Sequence, residues 1–455
     1  MIRRRPIRLT PQGDSGDTFG ASTPYIRHRL HTYSIDSVRK GKRVTDILGR
    51  FGLTRVINAT GTVTRLGASP LDAEVIDAMA LAARCSVDIA ELQGRACETI
   101  AQYTGAQAGI VTSGAMAGLL VGAAACIAGL DPDKMARLPD TRGMRNEFIV
   151  ARSHRNSYDH GVRAAGAQLI EVGLPDRITG CGVRDTEAWE YESAIGPQTA
   201  GILYLARADA RPRLPDVVRI ARAAAIPVLV DAAAELPPKG NLRRFIEEGA
   251  DLVAFSGGKS IGGPSASGIL CGRRQLIASA LLQQLDLDYV SEDWQPPPQL
   301  IDRSALRGVP RHGIGRSCKV GKEQIIGLLT ALERFAGEDD GARNARLAMV
   351  TDALLQSLLP LRRLRVQRVV DDGHGGMPLL EVRMIPEPGS PSALEVAARL
   401  RSATPSVHVD ATNADTGVLM LVPTCLKSED AGAIAAAFEV ALGAAAAHRD
   451  GINRT

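Results

Sequence analysis

Short, unbroken apolar runs recur between about residue 108 and residue 271, and stretches with helical spacing of apolar residues lie between them. The runs predict strands at 109–112, 147–151, 168–172, 201–206, 227–231, 251–255 and 268–271. The stretches between them predict helices that include 115–128, 215–225 and 242–248. A run that is apolar throughout belongs to a strand covered on both faces, and strands separated by helices pair in parallel. The expectation is therefore an α/β domain with a mostly parallel sheet. From about residue 340 the pattern changes. Strands at 363–370, 379–384, 406–410 and 417–422 surround a helix at 393–402, and a helix at 428–447 closes the chain. This predicts a smaller α+β domain, entered through the acidic turn at 337–341, with loops at 373–378 and 386–391. The predicted organisation is a polar arm over 1–50 ending in a short helix near 44–51, a large domain over 51–335 and a small domain over 336–455.

Composition adjusts this picture in three places. Aromatic residues make up only 4% of the 455 positions, so the core must be built from small aliphatic side chains. The net charge is +4, but residues 1–50 hold eleven Lys and Arg against four acids, a local +7. Such an arm can touch nucleic acid or an acidic surface. The few aromatic residues there do not alternate regularly with the charges, which favours a solvated arm that packs on a neighbouring subunit. The seven cysteines form no C-x-x-C pair and no metal-like group with histidine. They are expected to be reduced core residues of a cytoplasmic protein without a metal. No apolar run is long enough to cross a bilayer, and the Arg-rich start has no apolar h-region of a secretory signal.

Four segments carry candidate chemistry. A buried strand ends in Asp231, inside Pro227-Val-Leu-Val-Asp231-Ala-Ala-Ala-Glu235. Ligands of open α/β sheets bind at that edge. A carboxylate there calls for a cation such as a protonated pyridine nitrogen, although a helix N-cap or a metal ligand fits the motif too. Twenty-eight residues later a second strand ends in Phe255-Ser256-Gly-Gly-Lys259-Ser260. Small residues beside a strand-end lysine admit a flat ring, and a desolvated lysine can form a Schiff base with an aldehyde. A phosphate-binding P-loop would need glycine at position 253, where this chain has Val253. Ser113-Gly114-Ala115 joins a strand to a helix, where free amides can hold phosphate. Finally, Arg152-Ser-His154-Arg155-Asn-Ser-Tyr158-Asp159-His160 follows a strand. A histidine there can stack on a cofactor ring or shuttle protons, or be an ordinary surface residue. In order along the chain these give a phosphate turn, a stacking ring, an Asp and a Lys at successive strand ends.

This set resembles the fold-type-I pyridoxal 5'-phosphate (PLP) enzymes. Within them the chain is similar to the branch that contains L-seryl-tRNA(Sec) selenium transferase and D-glucosaminate-6-phosphate ammonia-lyase. Arg55-Val-Ile-Asn58-Ala-Thr60-Gly61-Thr62-Val63 resembles the start of both. The ammonia-lyase side is matched by the segments from Leu138 to Met144, His154 to His160, Asp231 to Pro238, Phe255 to Lys259 and Gly315 to Glu323. The resemblance implies an aspartate-aminotransferase-like large domain with a mostly parallel sheet and a smaller α+β C-terminal domain. It implies that Lys259 is the Schiff-base lysine, Asp231 the partner of the pyridine nitrogen and His154 the ring-stacking residue. Ser113, Gly114, Ala115 and Ser256 would hold the cofactor phosphate. Arg316, Lys319 and Lys322 would reach substrate anions, in a homodimer or higher homo-oligomer. After Lys259 this chain reads Ser260-Ile-Gly262-Gly-Pro264-Ser265, where the ammonia-lyase side carries an Arg and a Gln.

The expected activity is a PLP-dependent lyase that removes water from a β-hydroxy amino acid, releasing ammonia and a 2-keto acid. Selenium-transferase-like chemistry, other β-substitution, racemisation and aldol cleavage share its first steps and remain alternatives, as does a PLP-fold binding protein without turnover. The expected partner is a small anionic amino acid, because six cations lie between Arg303 and Lys322. Neither a membrane nor a nucleic acid is expected.

Overall fold

The structure is a computed structural model in which residues 47–174, 185–288 and 293–443 are described. Contacts divide the chain into two compact units, one ending at Leu53 and the other running from Thr54 to the C-terminus. In the first unit a single helical turn, Ile47–Arg50, is described. The rest of the predicted basic arm, Cys181 and the end of the closing helix lie outside the described residues. Among the described residues no helix is long and apolar enough to cross a membrane, and the six described cysteines are free.

The second unit contains twelve described strands. They are β1 (Val56–Ala59), β2 (Ala108–Thr112), β3 (Glu147–Ala151), β4 (Gln168–Val172), β5 (Thr199–Leu205) and β6 (Val228–Asp231). β7 (Leu252–Ser256), β8 (Gly268–Gly272), β9 (Leu364–Asp371), β10 (Met377–Met384), β11 (Ser406–Val409) and β12 (Val418–Leu421) follow. The predicted strands from residue 109 onward are all present, within one or two residues at their ends. Seven of them form one sheet in the order β2-β8-β7-β6-β5-β3-β4. β4, β3, β5, β6 and β7 run parallel, and β8 runs antiparallel between β7 and β2. Successive side chains of a strand point to opposite faces. Ile110 and Leu229 accordingly join one apolar cluster, while Val111 and Val230 join the other. Both faces are covered, which is why these strands read as unbroken apolar runs.

Two features were not visible in the pattern. β1 pairs in parallel with β11, from Val56 opposite Ser406 to Ala59 opposite Val409. Ile57 and Ala59 thereby enter the third apolar cluster, together with Leu354, Leu380, Val407 and Phe438. The four-residue strand contains Asn58, whose amide bonds Gly61 and Thr60 locally, so it reads as a turn. The helices Ala73–Ala83, Ile89–Thr104, Lys322–Gly337 and Asp340–Leu358 were also not anticipated. Part of the acidic turn at 337–341 is the start of the last of these, with Asp339 accepting from the amides of Gly341 and Ala342.

The sheet directions decide where chemistry can occur. β2, β3, β4, β5, β6 and β7 all end at one edge, and the antiparallel β8 begins there. Gly268, the first residue of β8, lies in register between Thr112 of β2 and Ser256 of β7. A Cβ at Gly268 would stand 2.5 Å from the Gly114 carbonyl carbon and 2.7 Å from the Ala115 nitrogen. These are backbone atoms, so a side chain cannot be accommodated by a rotamer change. Gly268→Ala is therefore expected to cost about 1–3 kcal/mol. Gly432 heads the helix Ala431–Ala441 and has open space around its Cα, so Gly432→Ala should stabilise by roughly 0.4–1 kcal/mol. Urea unfolding of both variants checks the pair. An unchanged midpoint for Gly268→Ala would show that β8 can slide away from the turn.

Candidate active site

Asp231 is the last residue of β6 and only 6% exposed. Its Oδ1 accepts one hydrogen bond, from the Ala233 amide at 3.1 Å. Burial pushes its carboxyl up, opposed by that amide and by the charge of Lys259. Lys259 follows β7 through Gly257-Gly258. Burial pushes its ammonium down, and Asp231 and Glu235 act in the opposite direction. The two predicted residues are thus brought within electrostatic reach of each other. Among the described residues the Lys259 amine has no hydrogen-bond partner. Its backbone is fixed instead: Ser69 Oγ donates to the Lys259 carbonyl at 2.7 Å and the Ser69 amide to the Gly258 carbonyl at 3.0 Å.

The Ser113–Ala115 turn and Ser256 lie on the two sides of Gly268. Gly114 has φ +144°, a conformation that side chains rarely adopt, and it caps the helix Ala115–Ala128. The first amides of that helix have no partner within the helix and point back toward the turn. With the helix dipole they form a site for a phosphate dianion.

His154 lies in the turn after β3 and is 4% exposed. Among the described residues neither ring nitrogen has a hydrogen-bond partner. Its ring meets Tyr204 of β5 edge-on, with centroids 5.0 Å apart and planes at 85°. Tyr204 is itself held, its hydroxyl donating to the Pro212 carbonyl. Burial, helped by the charge of Arg207, pushes the imidazole down to about 4. The residues after it are anchored by ion pairs. Asp159 accepts from Arg155 at 2.5 Å and Arg163 at 3.1 Å, and Arg152 and Arg155 both meet Glu171. His160 begins the helix that follows and is exposed.

Arg316, Lys319 and Lys322 are placed differently. Arg316 and Lys319 line a cavity of about 950 Å³ with Asp88, Gln93, Gln284, Asp286 and Gln324. Arg316 Nη2 donates to Asp286 at 2.5 Å, while its Nε is buried without a partner. Lys322 donates to Glu323 at 2.8 Å and does not line the cavity. Lys259, Asp231 and His154 do not line it either. The link is Gln93, whose side-chain amide bonds the Val111 amide and carbonyl at 2.9 and 2.8 Å, just before the phosphate turn. Asp286, Asp288 and His312 bring three ligand-type atoms within 4.8 Å of one another, but all are exposed and already paired, with Arg316 or with each other.

The residues at the sheet edge fit the expected cofactor. A phosphate cradle, an orphaned neutral ring, a buried carboxylate and an unpaired amine correspond to the phosphate, ring face, ring nitrogen and aldehyde of PLP. Sequence reasoning missed three participants: Ser69, Arg207 and Glu235. Arg207 lies beyond β5, bonded to Asp209 through two nitrogens at 2.9 and 2.7 Å. It acts electrostatically on both His154 and Glu235.

The low proton affinity of His154 makes stability depend on pH. The folded value lies below the ordinary 6.5, so the contribution is complete above 6.5 and is lost as pH falls toward about 4. At about 1.4 kcal/mol per pH unit, cofactor-free protein should lose roughly 2 kcal/mol between pH 7 and pH 5 through this residue. His154→Phe should remove that part of the dependence in urea unfolding at the two pH values. The same loss in variant and wild type would assign it to other groups.

Residues 56–288 match the family described as SelA, L-seryl-tRNA selenium transferase. The chain is 31% identical over 405 residues to the D-glucosaminate-6-phosphate ammonia lyase of Salmonella typhimurium, covering 87% of this chain and 98% of that one. It is 31% identical over 383 residues to the 5'-C-glycyluridine monooxygenase-decarboxylase of a Streptomyces species, covering 83% and 87%. A solved structure of a D-glucosaminate-6-phosphate ammonia-lyase superposes with a TM-score of 0.71 at 29% identity, over 89% of this chain and all of that one. The fold is therefore the predicted fold type I, and the chain belongs to the L-seryl-tRNA selenium transferase family.

Proposed function

We propose that the protein is a PLP-dependent lyase that removes water from an anionic β-hydroxy amino acid and releases ammonia and a 2-keto acid. The observation that carries the cofactor assignment is the Lys259 amine, desolvated and unpaired, within reach of the buried Asp231 carboxylate. PLP, when bound, supplies an electron sink for the bond broken at the substrate α-carbon. The chain supplies position and charge. Asp231 would hold a positive charge on the ring nitrogen, the Ser113–Ala115 turn and Ser256 would hold the phosphate, and His154 would supply a neutral ring beside the cofactor. His154 stays neutral near pH 7, so it adds no competing charge. Lys259 would hold the cofactor and, with its amine free, would take the α-proton of the substrate.

The lyase reading is supported by similarity to the ammonia lyase along almost that enzyme's whole length. The Streptomyces relative is equally similar and is named for oxidative decarboxylation, which favours a second reading in which an α-carboxylate is lost. Product analysis separates the two, since a lyase gives a keto acid with the carboxylate retained.

Two outcomes are expected. Borohydride reduction of the yellow protein should bleach it and leave a phosphopyridoxyl mass on Lys259. A label on another lysine would overturn the assignment. Second, Arg316 is proposed to read the substrate's distal anion from the cavity beside Gln93. A charge-assisted bond is worth about 1.5–3 kcal/mol, and 1.4 kcal/mol is tenfold. Arg316→Ala should then raise KM for a phosphorylated substrate such as D-glucosaminate 6-phosphate at least about tenfold. KM for the unphosphorylated amino acid should change less. Equal losses on both would give Arg316 a structural role through Asp286.

A further inference from the structure

Three consecutive carbonyls after Asp231 are each bound by a side chain from a different part of the chain. His374 Nε2 meets the Ala234 carbonyl at 3.0 Å. Asn241 Nδ2 donates to the Glu235 carbonyl at 2.7 Å. Ser260 Oγ, next to Lys259, donates to the Leu236 carbonyl at 2.6 Å. His374 is fixed in turn, its Nδ1 lying 2.8 Å from Asp371 Oδ2. The backbone at Glu235 is therefore held on both sides. Its carboxyl group is half-buried and has no hydrogen bond or ion pair among the described residues. A loop tied so closely, presenting an acid that bonds nothing among the described residues, is arranged for an outside partner. The Glu235 charge acts on Lys259, and the Asp231 charge acts on Glu235, so the acid lies within electrostatic reach of the site already described.

We propose that Glu235 is the general acid that protonates the departing β-hydroxyl in this elimination. The proposal rests on the lyase reading above. The Lys259 amine takes the proton from Cα and becomes an ammonium. The Cβ–O bond breaks with its electron pair on oxygen, and the Glu235 O–H proton joins that oxygen, so that water leaves. Lys259 then gives its proton to Cβ as the new double bond shifts. Water hydrolyses the resulting imine to the 2-keto acid and ammonia, and Glu235 regains a proton from solvent. The charges around Glu235 bear on which form it takes. His374, Arg244 and Arg207 favour the carboxylate, whereas burial and Asp231 favour the protonated acid, and burial prevails. A carboxyl whose proton affinity is raised is better matched to giving up a proton in the reaction than a solvated glutamate is.

The test is Glu235→Gln, which retains the shape and all three carbonyl ties. The substrates are D-glucosaminate 6-phosphate and both enantiomers of serine and of β-chloroalanine. Chloride leaves without a proton, so the chloro compound needs no acid. The variant should form keto acid from the hydroxy substrates at least about 100-fold more slowly. It should retain exchange of the α-hydrogen with deuterated solvent and turnover of β-chloroalanine. Independently, infrared spectra of the cofactor-free wild type across a pH series should contain a protonated-carboxyl band that persists to higher pH than that of a solvated glutamate and that Glu235→Gln removes. Equal losses on hydroxy and chloro substrates, or unchanged turnover of the hydroxy substrates, would overturn the acid role while leaving elimination standing. A wild type that forms no keto acid from any hydroxy substrate would overturn the elimination reading together with the acid.

Discussion

A carboxylate at the bottom of the sheet edge sets the terms for everything around it. Asp231 is buried and holds one amide hydrogen bond. Removing an ion from water costs several kcal/mol unless charge and hydrogen bonds replace the lost solvation. One amide does not replace it, so the site must provide a cation or let the acid keep its proton. Lys259 is the cation within reach, but it too is desolvated and pushed toward its neutral form. Neither residue is well served by the other alone. A ligand with a ring nitrogen that can be protonated and an aldehyde that can bond the amine relieves both, which gives a physical reason for the cofactor to belong between them.

The rest of the edge keeps that pair in place. Seven strands bring six C-terminal ends and the start of β8 to one line, and Gly268 lets the phosphate turn close against β8 without a side chain between. The loop after Asp231 is tied to Ser260 on one side and to His374 of the β9–β10 connection on the other. Lys239, farther along the same loop, donates its amide to Asp340 and its ammonium to the Glu338 carbonyl. Asp231 and Lys259 are therefore braced by residues more than a hundred positions away in the chain. Movement of the 336–376 region would pull directly on the loop that carries Glu235.

This explains which parts were legible from the sequence. The strands of the large sheet were, because burial on both faces leaves unbroken apolar runs. Asp231, Lys259 and the Ser113–Ala115 turn were also legible, since a polar or small residue that ends such a run has a definite place at the edge. Glu235 stood inside a segment already singled out and was passed over, because one glutamate in a Pro-rich loop has no periodicity. Its meaning depends on Asn241, Ser260 and His374 converging, and only the fold brings those together. β1 was missed for a similar reason: its partner β11 lies about 350 residues away. The basic run from Arg303 to Lys322 was legible as charge, but the partner of Arg316, Asp286, was not.

That partner changes how the basic segment can work in the proposed reading. A free guanidinium would add the whole of its interaction with an arriving anion. Arg316 already holds Asp286, so an incoming group must displace one carboxylate with another anion, and only the difference appears as affinity. A lone carboxylate offers almost no difference. A phosphate near neutral pH carries close to two charges and more acceptor oxygens, so it offers the guanidinium more than a lone carboxylate does. With Lys319 on the same wall of the cavity, the exchange favours a dianion over a monoanion. Asp286 then acts as a threshold. In that reading it would keep weakly charged amino acids from gaining by binding there.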